Sequence, residues 1–211
     1  MAMTDPDRVE LQLLADQLAR MRGMLYGYSD LFFRRVRDWA IASIALLVIG
    51  STDLAPAAVV LVPFLVPFAF LETGYLFFYT VFARRYAERL ERRINRLVGS
   101  DVLIAHRLEA AYFYPPDAPK VAAFSFGNPA GLMSVATLGY TAGAALLWVA
   151  GFEGLLRFSA DLDGPGALLP VASAAWTLAI AGYLVWTFVA RRDEGRLLEE
   201  LDRWEAAAPA P

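Results

Sequence analysis

The sequence predicts an all-α integral membrane protein with four transmembrane helices in two hairpins. Amphipathic helices lie in the cytoplasm, and both termini are inside. Three observations lead there. Residues Pro56 to Arg85, PAAVVLVPFLVPFAFLETGYLFFYTVFARR, are apolar from Ala57 to Ala83, a longer run than the roughly 20 residues a helix needs to cross a bilayer. Two later runs, roughly Ala130 to Phe152 and Ala167 to Ala190, have similar character. The arginines also segregate. In a four-span arrangement Arg34, Arg35, Arg37, the Arg84–Arg96 cluster, Arg191, Arg192 and Arg196 share one side. The other side holds Arg157 against Asp53, Glu153, Asp161 and Asp163. The positive-inside rule makes the arginine-rich side cytoplasmic.

Composition sets bounds on function. The 211 residues are 58% hydrophobic, with a mean hydropathy of +0.44, too apolar for an ordinary soluble domain. A net charge of −3 gives no reason to expect a nucleic-acid partner. The chain has no cysteine, which excludes disulfides, thiolate metal sites and cysteine nucleophiles. The first 30 residues are polar and charged, so a cleaved signal peptide is not expected and the first span directs insertion. Lys120 is the only lysine among 19 basic residues. Together with abundant alanine this points to a GC-rich bacterial genome, and hence to a bacterial inner (plasma) membrane.

Residues 1–28 form a first amphipathic segment. Thr4-Asp5-Pro6-Asp7 starts a helix, with a capping side chain, a first-turn proline and acidic residues at the positive end of the dipole. Leu11, Leu14, Leu18, Met21, Leu25, Tyr28 and Phe32 then recur at alternating spacings of three and four, the seam of a possible coiled coil. The seam lies either on another part of the chain or the membrane surface, or against a second copy.

Residues 29–98 form the first hairpin and its helical extension. Ser29-Asp30 offers a helix restart, followed by an aromatic and basic collar of Phe32, Phe33, Arg34, Arg35, Arg37 and Trp39. The apolar part, Trp39 to Ile49, is short, so Arg34 and Arg37 must snorkel or the span must include Phe32 and Phe33. Gly50-Ser51-Thr52-Asp53 ends it with turn chemistry. The long span follows and runs on as RRYAERLERRINRL, with Tyr86, Leu90, Ile94 and Leu97 on one stripe.

Residues 99–128 are broken from that helix by Gly99-Ser100. They carry a helix from Asp101 to about Phe113, ended by Pro115-Pro116, and an irregular apolar segment expected to rest on the membrane surface or the helices. Residues 129–190 form the second hairpin, opened by Asn128-Pro129 and interrupted by an acidic loop from Glu153 to Gly166. Residues 191–211 carry a short amphipathic tail helix with Leu197, Leu198, Leu201 and Trp204.

The candidate sites follow from residues that are costly in a membrane. Glu72 is an acid at mid-span, where a charge must be paired, protonated or wet. Tyr75 and Tyr79 share its face and offer hydrogen bonds. Either this face lines a polar path, or Glu72 locks the helices together. With no basic residue expected at its depth in any span, a salt bridge within one chain is not anticipated. Pro63 and Pro67 are expected to bend or hinge the long helix. Gly139 and Gly143, four apart, are expected to allow close helix packing. Arg84, Arg85, Arg92 and Arg93 stand where lipid headgroups would meet them. His106 is expected to be an ordinary side chain.

No phosphate-binding loop, metal cluster or nucleophile elbow occurs, so no catalytic residue, cofactor or metal is expected. The partners expected are the bilayer, a possible second copy and a possible cytoplasmic protein. The primary expectation is an oligomeric membrane protein that forms or regulates a path for an ion or small solute, with Glu72 in its lining. The alternative is a non-catalytic scaffold or accessory subunit that recruits a partner through its cytoplasmic helices.

Overall fold

The computed structural model describes residues 5–112, 131–160, 162, 164–190 and 192–207. These residues are helical apart from short connections, and no strand occurs among them. The helices are α1 (Asp5–Gly50), α2 (Val62–Val98), α3 (Ala105–Tyr112), α4 (Gly131–Ala160), α5 (Leu169–Phe188) and α6 (Arg192–Ala207). Two 3₁₀ turns, Pro56–Leu61 and Gly164–Leu168, lead into α2 and α5. Two segments, Pro56–Val98 and Gly164–Ala207, are long and apolar enough to cross a membrane.

α1 is a single helix of 46 residues. The restart expected at Ser29-Asp30 does not occur. Asp30 pairs with Arg34 one turn on instead of capping a new helix, and Tyr28 and Phe32 on either side pack on Tyr79 and Tyr140. Tertiary packing here outweighs a local capping signal. The helix ends as the turn chemistry anticipates, with the Ser51 and Thr52 hydroxyls donating to the carbonyls of Val48 and Ile49.

α2 returns antiparallel to α1 over nearly its whole length. Val59, just before α2, meets Gly50, where a Cβ would stand 2.6 Å from the Val59 backbone nitrogen. Further along, Trp39 meets Phe68, Tyr28 meets Tyr79, and Glu10 meets Arg93. The seam of the first segment is used here, within the chain. Leu14 packs with Leu90 and Ile94, flanked by Leu11, Leu18, Met21, Tyr86 and Leu97. Pro63 sits in the first turn of α2 and only Pro67 lies inside the helix, so the expected pair of bends reduces to one proline position. Gly99, at φ 71°, caps the far end, and the Asn95 side chain both donates to and accepts from the Leu103 backbone.

α4 and α5 complete the bundle. α4 runs antiparallel to α2 and continues to Ala160, so the loop expected from Glu153 is helical for its first two turns. α5 runs parallel to α2, with the Trp176 indole donating to the Phe64 carbonyl at 3.0 Å and Leu184 and Phe188 closing on Gly74. Trp148 on α4 donates to the Thr177 hydroxyl of α5 at 3.1 Å. The core at this end is Val62, Val66 and Ala144 with Leu46, Leu47, Phe70, Leu147 and Trp148. The expected Asn128-Pro129 start, and the segment from Pro115 to Phe126, lie outside the described residues.

The small-residue packing is real but displaced. Among the described residues a Cβ at Gly139 or Gly143 would meet nothing within 4 Å, so the expected close approach is not made there by any of them. It is made two to three turns on, at Gly151 and Gly154, where a Cβ would fall 2.6 Å from Val62 and 2.3 Å from Val59. Replacing Gly151 by leucine is expected to destabilise the protein by about 1–3 kcal/mol through overpacking. Gly143→Ala is expected to be neutral or stabilising by up to ~1 kcal/mol, from helix propensity. Thermal unfolding in detergent checks both, and equal loss in the two variants would contradict the assignment.

Candidate functional site

The antiparallel seam gathers the polar side chains of α1 and α2 into two clusters. The first surrounds Glu72. Its carboxylate accepts a hydrogen bond from the Trp39 indole and pairs with the Arg35 guanidinium at 3.3 Å. The expectation that no basic residue reaches this level is therefore wrong. The short arm of the hairpin carries its basic collar alongside the middle of the long arm. Arg35 thus meets Glu72 although one precedes the apolar run of its helix and the other lies near the middle of its own. Trp39, one turn from Arg35 on the same face, also packs edge-on against Phe68.

Tyr75 and Tyr79 do not complete this group. Their hydroxyls lie 2.7 Å apart and hydrogen-bond to each other, and the Tyr79 ring stacks on Tyr28 at 5.0 Å. Tyr75 is mostly exposed. The stripe Phe68, Glu72, Tyr79 and Tyr86 is a helical face, as the spacing implies, and it faces α1.

The second cluster is at the far end of α2 and centres on Glu91, which is 1% exposed. One carboxylate oxygen accepts hydrogen bonds from the His106 backbone N–H at 3.0 Å and from its Nδ1 at 2.9 Å. The other oxygen pairs with Arg22 of α1. Arg22 also pairs with Glu109 of α3, which meets Arg84 of α2 at 3.2 Å. Burial by itself would raise the Glu91 carboxyl, but the hydrogen bonds from His106 and Arg22 hold it below its ordinary value. Burial works against the Arg22 charge too, yet Glu91 and Glu109 raise it above its usual range.

The remaining arginines of α2 extend this pattern. Arg85, 5% exposed, binds Glu194 of α6 at 3.1 Å. Arg89 meets Asp202 and Glu205, Arg96 meets Glu205, and Arg93 meets Glu10 of α1 at 2.8 Å. Arg85 and Arg93 are thus buried in ion pairs, and the expectation that they face lipid headgroups is not met. Arg84 is turned inward to Glu109. Arg92 pairs with Glu88 of its own helix and is half exposed.

His106 is not the ordinary side chain that the sequence suggests, and its pairing with Glu91 was not anticipated. The signal available was local. Glu91 lies next to the buried stripe position Leu90, so it borders the packed face of its helix. A cleft of about 990 Å³ opens beside the cluster, lined by residues including Arg84, Arg92, Arg96, His106 and Arg107. Its arginines are balanced by Glu88, Asp101, Glu109 and Glu205. Among the described residues no group of three or more potential ligands is placed to hold a metal ion. No protein-family model, curated protein or solved structure matches the chain.

Removing the charge of Glu91 takes one of two carboxylates from Arg22, which keeps Glu109, so Glu91→Gln is expected to destabilise the protein by roughly 1–3 kcal/mol. A chemical unfolding series measures this, and a loss below 1 kcal/mol would contradict the buried pairing. The same pair sets a pH dependence. A carboxyl whose folded value is depressed contributes stability that is complete above its unfolded value and is lost as pH falls through the folded one. The melting temperature is therefore expected to fall with acidification below the ordinary carboxylate range, and Glu91→Gln should flatten that fall.

Proposed function

We propose that the chain is a non-catalytic membrane scaffold with four spans. They are the C-terminal part of α1, the first part of α2, α4 and α5. The rest of α1, the extension of α2, α3 and α6 form a cytoplasmic platform. The observation that carries the scaffold reading is the ion-pair ladder on α2. Glu91, Arg84, Arg85, Arg89, Arg93 and Arg96 each take partners from α1, α3 or α6. One rigid helix therefore joins the bundle to a set of helices gathered at its end.

The alternation of directions supports the topology. It gathers the arginine-rich segments at one end of the bundle, while Asp53, Glu153 and Arg157 lie near the other, where Gly154 packs on Val59. Glu72 supports the scaffold over the solute pathway, because Arg35 and Trp39 of the same chain take its carboxylate. An acid neutralised in this way stabilises a helix pair at a depth where an unpaired charge is costly. Two arms of such unequal apolar length fit a bilayer by tilting.

Reporter fusions at Asp53 and Leu162 are expected to report the outside, and one at Ser100 the cytoplasm. In proteoliposomes the purified chain is expected to pass ions no faster than empty vesicles, and Glu72→Gln should lower thermal stability without changing flux. Flux that depends on Glu72 would overturn the scaffold reading in favour of the pathway.

A further inference from the structure

α1 carries a second seam on the face turned away from α2. Gly23, Gly27, Asp30, Arg34, Arg37, Ile41, Ile44 and Val48 recur at spacings of four and three throughout, the pattern of a helix with two helical neighbours instead of one. Among the described residues none covers these positions. A Cβ at Gly23 or Gly27 would meet nothing within 4 Å, and Ile41, Ile44 and Val48 are exposed. Asp30, Arg34, Arg37 and the adjacent Asp38 have side chains 51–67% exposed.

These charges lie too deep to be left to lipid. At ~1.5 Å per residue, Asp38 is about 18 Å and Arg34 about 24 Å from Gly50, where α1 ends. The hydrocarbon layer is ~30 Å thick, so in the four-span arrangement both fall inside it. Arginine can snorkel, but the short aspartate side chain cannot follow it far. Charges in spans face protein or water, not acyl chains. α2 does not cover them, because Arg35 and Trp39 on the α2 side point to Glu72.

We propose that this face is an interface with a second copy of the chain. The two copies are related by a two-fold axis along the membrane normal. The chemistry of the face is self-complementary. Two acids flank two arginines in the order Asp30, Arg34, Arg37 and Asp38, with no net charge. Their observed partners are near neighbours on α1 itself, Arg34 with Asp30 at 2.8 Å and Arg37 with Asp38 at 3.0 Å. A parallel copy sets each charge level with its own counterpart, and the long arginine stem spans the ~6 Å rise of one turn, so Arg34 reaches the Asp30 and Arg37 the Asp38 of the second copy while each keeps its own. The outer third of the seam, Ile41, Ile44 and Val48, supplies the apolar contact. A two-fold interface of this kind uses the same patch on both chains. This proposal rests on the four-span reading.

The absence of native cysteine makes the test direct. In native membranes, full-length chain with Ile41→Cys is expected to give a disulfide-linked homodimer on oxidation. Val185→Cys, exposed on α5, should give little. An all-basic face (Asp30→Arg, Asp38→Arg) and an all-acidic face (Arg34→Asp, Arg37→Asp), each built on Ile41→Cys, should lower the dimer about tenfold or more, since each sets like charges together. Co-expression of the two should restore a mixed dimer, which shows that both fold. No dimer from Ile41→Cys above Val185→Cys, linkage only to a different protein, or indifference to charge reversal would overturn the proposal. A reporter at Asp53 keeps the two failures apart. Outside placement without cross-linking sinks only the interface, and inside placement sinks the four-span reading.

Discussion

The antiparallel contact of α1 with α2 is the constraint on which the rest of the structure depends. It is anchored at one end by the approach of Gly50 to Val59, which leaves no room for a side chain at the turn. From that point the two helices run together, and the register decides every later pairing. Arg35 arrives at Glu72, Tyr28 at Tyr79, Leu14 at Leu90 and Glu10 at Arg93. Changing the register by a turn would separate Glu72 from Arg35 at one level and Arg93 from Glu10 at another. Neither loss is small where water is scarce.

The charges of α2 explain how a bundle and a polar helix layer hold together as one object. A long helix emerging from an apolar bundle has little to fix its direction. Here α1, α3 and α6 each contribute at least one carboxylate or guanidinium to it. The apolar cluster of Leu14, Leu90 and Ile94, with Trp204 from α6, lies among those pairs and lowers the local dielectric around them. Arginine suits this role, since its planar fork meets two acceptors at once, as Arg22 and Arg89 do.

Much of the fold was legible from period and punctuation. The seam Leu11, Leu14, Leu18, Met21, the turn at Gly50-Ser51-Thr52 and the break at Gly99 are local signals that the structure uses as written. What could not be read was which surface each seam meets. The Arg35–Glu72 pair was invisible because depth was judged helix by helix. Only the antiparallel register of a short arm on a long one puts residue 35 beside residue 72. The glycine motif failed for a related reason. Gly139 and Gly143 have the favoured spacing, but the face of α4 that meets α2 is set by Val59 and Val62, and these select Gly151 and Gly154. His106 gave no pattern of its own, since its partner Glu91 is a buried acid next to a core leucine. Sequence alone does not distinguish that acid from a solvated one.

The central claim is that α1 and α2 zip together within a single chain from the turn at Gly50 to the pair Glu10–Arg93. The most direct measurement introduces cysteines at Tyr28 and Tyr79 in the otherwise cysteine-free chain and treats membranes with a short bifunctional thiol reagent. The account predicts a link within one chain, seen by mass spectrometry as a cross-linked peptide pair in protein of monomer mass. A link found only between chains, or none at these two positions, would contradict it.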